Sequence, residues 1–209
     1  MKPPVTVGTV KSPVTGNNNL VESFQPVPVN RETFALSLFI GTEVMFFGGL
    51  ISAFLILKAG AGLWPPVGQP RLPVFVTGVN TLFLLASGYT VHLAVKAARE
   101  ARQRDICVWL AVTGLLGLLF LGIQGYEWVR LLAHGLTISS STYGGTFYTL
   151  IGAHGLHVAA AVTVLLVVLS RALRGCYSDA AHTGVTLCRI YWLFVVGVWP
   201  VLFLLVYLA

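Results

Sequence analysis

Long apolar runs make up most of this chain, and few groups inside them could do chemistry. Glu43 sits in the run Leu38-Phe39-Ile40-Gly41-Thr42-Glu43-Val44-Met45-Phe46-Phe47. Gln124 and Glu127 belong to Gln124-Gly125-Tyr126-Glu127-Trp128, and His154 and His157 bracket Gly155-Leu156. His92 stands apart from them. Ionisable groups in hydrocarbon are costly and count as functional candidates. A carboxyl group facing imidazoles can share protons, ligate a metal, or help hold haem.

Glu43 has three readings. It can be a protonated acid hydrogen-bonded inside a bundle, the mark of a lipid cleft or assembly contact, or a proton carrier in turnover. His154 and His157, three residues apart, share one helical face. A metal site would need further ligands from facing helices. A bis-histidine haem would need one of them opposite His92 at equal depth. The reading that the spacing favours is hydrogen bonding to Glu43, Gln124 or Glu127. On depth, Glu43 pairs best with His157.

These side chains need elements to hold them. The 209 residues are 56% hydrophobic and 10% charged, with a mean hydropathy of +0.82. A soluble domain carries about 25% charged residues, so the chain reads as an integral membrane protein. The net charge of +6 forms no basic face, since the charges sit between apolar runs. Nucleic acid is therefore not an expected partner.

A span needs about 20 mostly apolar residues. Five segments qualify, at about 33–57, 72–95, 106–132, 145–169 and 187–208. Helix is the expected form, because lipid leaves no partner for an open sheet edge. The expected fold is thus an all-α bundle of five transmembrane helices over 33–209. Ahead of it, residues 1–32 read as an extended arm without the apolar core of a secretory signal. Glu43 lies ten residues into the first span, about 15 Å deep. Trp64-Pro65-Pro66 suits an interfacial turn.

Lys and Arg number ten on the side of the N-terminus and three on the other. That asymmetry predicts a cytoplasmic N-terminus and an outer C-terminus. It also puts Cys107, Cys176 and Cys188 near the reducing side, where no structural disulfide is expected. Gly48-Gly49, Gly78, Gly88, Gly114 with Gly117, and Gly152 with Gly155 read as close helix packing. Pro200 predicts a kink in the fifth helix.

Several strings match one family in order and spacing from about residue 34 onward. They are the Glu43 and Gln124–Trp128 runs quoted above, Trp64-Pro65-Pro66, and Asn80-Thr81. Tyr143-Gly144-Gly145-Thr146-Phe147-Tyr148, Gly152-Ala153-His154-Gly155-Leu156-His157-Val158 and Tyr191-Trp192-Leu193-Phe194-Val195 complete the set. The chain resembles subunit III of haem-copper respiratory oxidases in its five-helix form.

The resemblance implies a non-catalytic subunit that supports the catalytic one through lipid binding, assembly and sustained proton uptake. It implies no catalytic site of its own and no haem, copper or other metal bound by this chain. Haem and copper belong to partner subunits, and phospholipid is the expected ligand. Oxidase subunits I and II are the expected partners, with room for a larger respiratory supercomplex. The expected location is the bacterial-type cytoplasmic (inner) membrane. Glu43 resembles the family's buried membrane glutamate beside a lipid cleft, and His154 with His157 resembles its paired histidines. The last helix departs from the family's Tyr-Trp-His-Phe-Val-Asp: Leu193 takes the His place and Val196 the Asp place. Against this stand three other readings: an accessory subunit of a nitric oxide reductase, a cytochrome b-type electron carrier, and a stand-alone transporter. The carrier needs histidines as haem ligands, and the transporter needs a polar pathway.

Overall fold

The computed structural model describes residues 31–66, 68, 70, 72–174 and 182–208. The expected arm falls outside these residues except for its last two, and Cys176 also lies outside them. Five helices are long and apolar enough to cross a membrane, and no strand occurs among the described residues. They are α1 (Arg31–Ala59), α2 (Val74–Arg99), α3 (Gln103–Ala133), α4 (Thr142–Leu173) and α5 (His182–Phe203).

The helices outrun the apolar segments that predict them. At 1.5 Å per residue, the 31 residues of α3 reach about 46 Å, against roughly 30 Å of hydrocarbon and 40–45 Å with headgroups. The backbone keeps its hydrogen bonds internal through the headgroup layer, where polar side chains are tolerated. Hydropathy registers only the hydrocarbon part.

Two helix ends turn the chain back on itself by the same device. After α3, Gly135 takes a φ of 87°. Its N–H donates to the Leu132 carbonyl at 3.0 Å, and the N–H of Leu136 donates to Leu131 at 3.0 Å. This is a Schellman ending, which uses a left-handed residue to satisfy the last carbonyls. Leu136 is fully buried beneath it. Ser141 then caps α4, its hydroxyl accepting from the Gly144 N–H at 3.2 Å. After α2 the left-handed position is held by Ala101, with a φ of 53°. Arg102 N–H donates back to Ala97 at 3.0 Å. The tight turn makes α2 and α3 antiparallel neighbours with the most extensive contact in the molecule.

Helices α2 to α5 form the bundle, and α1 packs chiefly on α4 and α5. Glycines set the seams of the bundle. A Cβ on Gly117 would meet the Trp192 ring at 2.5 Å, one on Gly114 would meet Leu165 at 3.0 Å, and one on Gly88 would meet Val196 at 3.3 Å. Buried hydrogen bonds tie the same helices. Trp192 Nε1 donates to Ser87 at 3.0 Å and Trp199 Nε1 to Thr81 at 2.9 Å. The Thr90 and Thr113 hydroxyls lie 2.8 Å apart. Helix α5 runs through Pro200 and ends in a π-helical turn at Leu204–Leu208.

Candidate functional site

Helix α1 meets the bundle at a narrow waist. Glu43 Oε2 lies 2.7 Å from His157 Nε2, and both side chains are 16% exposed. His157 Nδ1 lies 2.7 Å from the Ala153 carbonyl. A carbonyl only accepts, so Nδ1 carries a proton and donates it. Nε2 then has two options. It accepts the proton of a neutral Glu43 carboxyl, or it donates as an imidazolium to a carboxylate. Either way one proton is shared between Oε2 and Nε2, and the pair carries no net charge. That neutrality lets it sit between helices at mid-span without an uncompensated charge.

Phe47, the most enclosed residue of the waist, is 3% exposed. Its ring lies 5.0 Å from that of His157, 6.3 Å from His154 and 6.4 Å from Phe194. Above and below the waist hollows open beside α1, although Phe39 meets Tyr191 at 6.1 Å and Phe54 meets Trp64 at 5.7 Å. On one side a groove of about 580 Å³ is lined by Leu36, Phe39, Val164, Val167 and Tyr191, with Arg171 of the last turn of α4. On the other a smaller hollow of about 210 Å³ lies between Leu50, Phe54, Thr146 and Leu150.

The five expected site residues do not join into one hydrogen-bonded chain among the described residues. Glu43 and His157 pair, as their depths predict. His154 turns elsewhere: its ring stacks on Trp199 at 4.9 Å and meets Phe120 edge-on at 6.3 Å. It is 1% exposed, and neither ring nitrogen has a hydrogen-bond partner. Gln124 Nε2 donates to the Tyr207 hydroxyl at 3.0 Å. Glu127, 5% exposed, accepts from Arg130 at 3.3 Å.

His92 Nδ1 faces Arg189 at 3.5 Å. No group of three or more His, Cys, Asp or Glu among the described residues could hold a metal ion. Sequence reasoning missed Trp199 and Trp128, the rings that frame His154 and its surroundings. A signal existed. Trp192 and Trp199 are seven residues apart, two turns along one face, and Trp inside a span departs from its usual interfacial place.

The departures in α5 have a packing account. Val196 is 6% exposed, and both it and Leu193 lie against the space a Gly88 side chain would take. Val196 is buried in the α2–α5 seam, while Leu193, 41% exposed, lies at its edge.

Comparisons with known proteins agree with this architecture. A family profile described as cytochrome c oxidase subunit III matches residues 23–209. A Synechocystis sp. protein named cytochrome c oxidase subunit 3 is 39% identical over 176 residues, 84% of this chain and 74% of its own length. One of the same name from Thermostichus vulcanus is 36% identical over 174 residues, 83% of this chain and 85% of its own. One from Corynebacterium diphtheriae is 33% identical over 198 residues, covering 92% and 96%.

Proposed function

The chain belongs to the cytochrome c oxidase subunit III family and is a multi-pass subunit III of a haem-copper oxidase, and from that premise we propose how it serves the complex. It works with the other oxidase subunits, and in our reading those are subunits I and II, which carry the haem and copper. Its own task is to hold phospholipid against the complex and to sustain proton uptake through many turnovers. The surrounding membrane is the bacterial cytoplasmic membrane, with the N-terminus inside, a placement supported by the ten-to-three excess of Lys and Arg.

The observation that carries this reading is the groove beside α1. It is walled by Phe39, Val164, Val167 and Tyr191 and has Arg171 among its lining residues. Apolar walls suit acyl chains, and a guanidinium suits a phosphate. The Glu43–His157 pair ties α1 to α4 near this groove. Its shared proton gives the subunit a proton-holding site at mid-span, which bears on uptake without making it catalytic.

The test is the Glu43→Ala complex, purified with all subunits. Its initial oxygen consumption stays close to wild type, while bound lipid phosphorus falls and activity declines sooner during continuous turnover. Immediate total loss of oxygen reduction in a fully assembled complex would instead make Glu43 catalytic.

A further inference from the structure

The last turns of α2 carry a one-sided pattern. Leu85, Tyr89, His92, Lys96 and Arg99 recur every three or four residues, so they share one stripe of the helix, and all five are exposed. The positions between them face inward: Val91, Ala94, Val95, Ala97 and Ala98 are buried. Helix α5 lies beside this stripe. Arg189 Nη1 faces His92 Nδ1 at 3.5 Å, and Leu193 sits at the edge of the seam next to Gly88.

The cations of this face lack acids. Glu100 and Asp105, the carboxylates of the neighbouring turn, both pair with Arg102. Among the described residues no carboxylate pairs with Lys96, Arg99 or Arg189. An imidazole can accept from the Arg189 guanidinium, but it cannot cancel the charge. Lys and Arg at the very end of a span are ordinary. Arg189 is placed differently. It and His92 lie inside the apolar segments at 187–208 and 72–95, and His92 is seven residues, about 10 Å, short of the end of α2 at Arg99. A cation at that depth calls for an anion beside it.

The order of groups along the membrane normal says which anion. Leu85, Tyr89 and Leu193 make an exposed, largely apolar stretch toward mid-bilayer. The His92–Arg189 contact comes next, and Lys96 and Arg99 follow about 6 and 10 Å beyond His92. Acyl chain followed by phosphate is the same order. Three cations without acids favour a headgroup that brings no amine charge of its own, and each Lys or Arg near a membrane surface is worth about fivefold in affinity for an anionic lipid. A small free anion would match the cations and gain nothing from the apolar stretch.

We propose that the α2–α5 face binds one phospholipid of net negative charge, with its phosphate at Arg189 and Lys96 and an acyl chain along Leu85, Tyr89 and Leu193. The site is separate from the groove beside α1, which no residue of α2 lines. The test uses the intact oxidase complex in mild detergent and a phosphatidylglycerol that carries a diazirine on one acyl chain. Cross-linked positions are mapped by mass spectrometry. Phosphatidylcholine with the same acyl chain is the control probe.

Phosphatidylglycerol labelling should saturate at residues 82–93 of α2, and the control probe should label there without saturating. Arg189→Gln should weaken the saturable labelling about fivefold, and Lys96→Gln by a similar factor. Lys96 is exposed, so Lys96→Gln carries the test alone if Arg189→Gln does not assemble. Arg171→Gln removes the same charge at the same end of the bundle, but from the groove beside α1. It should leave labelling of α2 intact, which separates this site from that groove and from a general effect of surface charge. Equal labelling by the two probes, an equal effect of Arg171→Gln, or indifference to both Arg189→Gln and Lys96→Gln overturns the proposal. So does displacement by inorganic phosphate, which has no acyl chain and would make this a free-anion site. Absence of any labelling on α2 also overturns it, because another subunit would then cover this face.

Discussion

Helices α1 and α2 are close in length, 29 and 26 residues, and both are apolar enough to span a membrane, yet they are attached in different ways. In α1 only Phe47 and Phe54 are buried. In α2 the buried set runs from Thr77 to Ala98 and includes Asn80, Thr81, Ser87 and Thr90. Those polar side chains bind across to α3 and α5: Asn80 to the Phe120 carbonyl at 3.1 Å, Ser87 to Trp192, Thr81 to Trp199. Helix α1 reaches the bundle at Glu43 and Phe47, and again at Phe54 against Trp64, with hollows on both sides of the first contact. In a bilayer there is no hydrophobic gain from bringing two apolar helices together, so close packing and hydrogen bonds decide what associates. The α2–α5 bundle has both along most of its length. Helix α1 has less of both: its hydrogen bond to the bundle is the Glu43–His157 pair, and its buried side chains are Phe47 and Phe54.

The largest effect is expected where the bundle is tightest. A Cβ at position 117 would stand 2.5 Å from the Trp192 ring. That ring is fully buried and pinned by its bond to Ser87, so it cannot step aside cheaply. Gly117→Ala should destabilise the folded chain by about 3 kcal/mol, the upper part of the usual overpacking range. Reversible unfolding in mixed mild detergent and SDS would measure it. Unchanged stability would mean that the α3–α5 seam yields, and the contrast with α1 would fall.

An intermediate and localised effect is expected at the waist. Glu43→Leu removes the bond to His157 and leaves its Nε2 bare, a loss of about 1–3 kcal/mol. The loss should appear as faster amide hydrogen exchange in α1, with α2 to α5 protected as before, because α1 can open as a unit of its own. Equal loss of protection in all five helices would show that the waist holds up the whole bundle.

Much of this was legible beforehand, and the gaps have a common cause. The five spans and the pairing of Glu43 with His157 follow from hydropathy and depth, which depend on position along the membrane normal. What depth cannot give is direction around a helix axis. His154 and His157 share a helical stripe, but α1 lies toward one edge of it, and α3 and α5 toward the other. His157 therefore meets a carboxyl group, and His154 meets Trp199 and Phe120. The glycines show the same limit. Gly114 with Gly117 and Gly48-Gly49 are similar signals of close approach in sequence. The first pair lies against Leu165 and Trp192, while a Cβ on either of the second would meet nothing within 4 Å. Which glycine faces a neighbour depends on the azimuth of each helix, which no single segment encodes.

The smallest effect turns that difference into a probe of the assembled complex. Gly49→Ala makes the same chemical change as Gly117→Ala, on a helix of the same chain, at a site with open space. For the chain alone it should cost nothing, and the better helix former should add up to about 1 kcal/mol. Unfolding in detergent would check the sign, and a loss there would mean that α1 packs more closely than its waist contact implies. The same variant in the intact complex asks a further question. If stability or subunit retention falls only there, the Gly48-Gly49 face of α1 is covered by another subunit. If it does not fall, that face meets lipid, and α1 is held from its other side alone, by the Glu43–His157 bond and the buried Phe47 and Phe54.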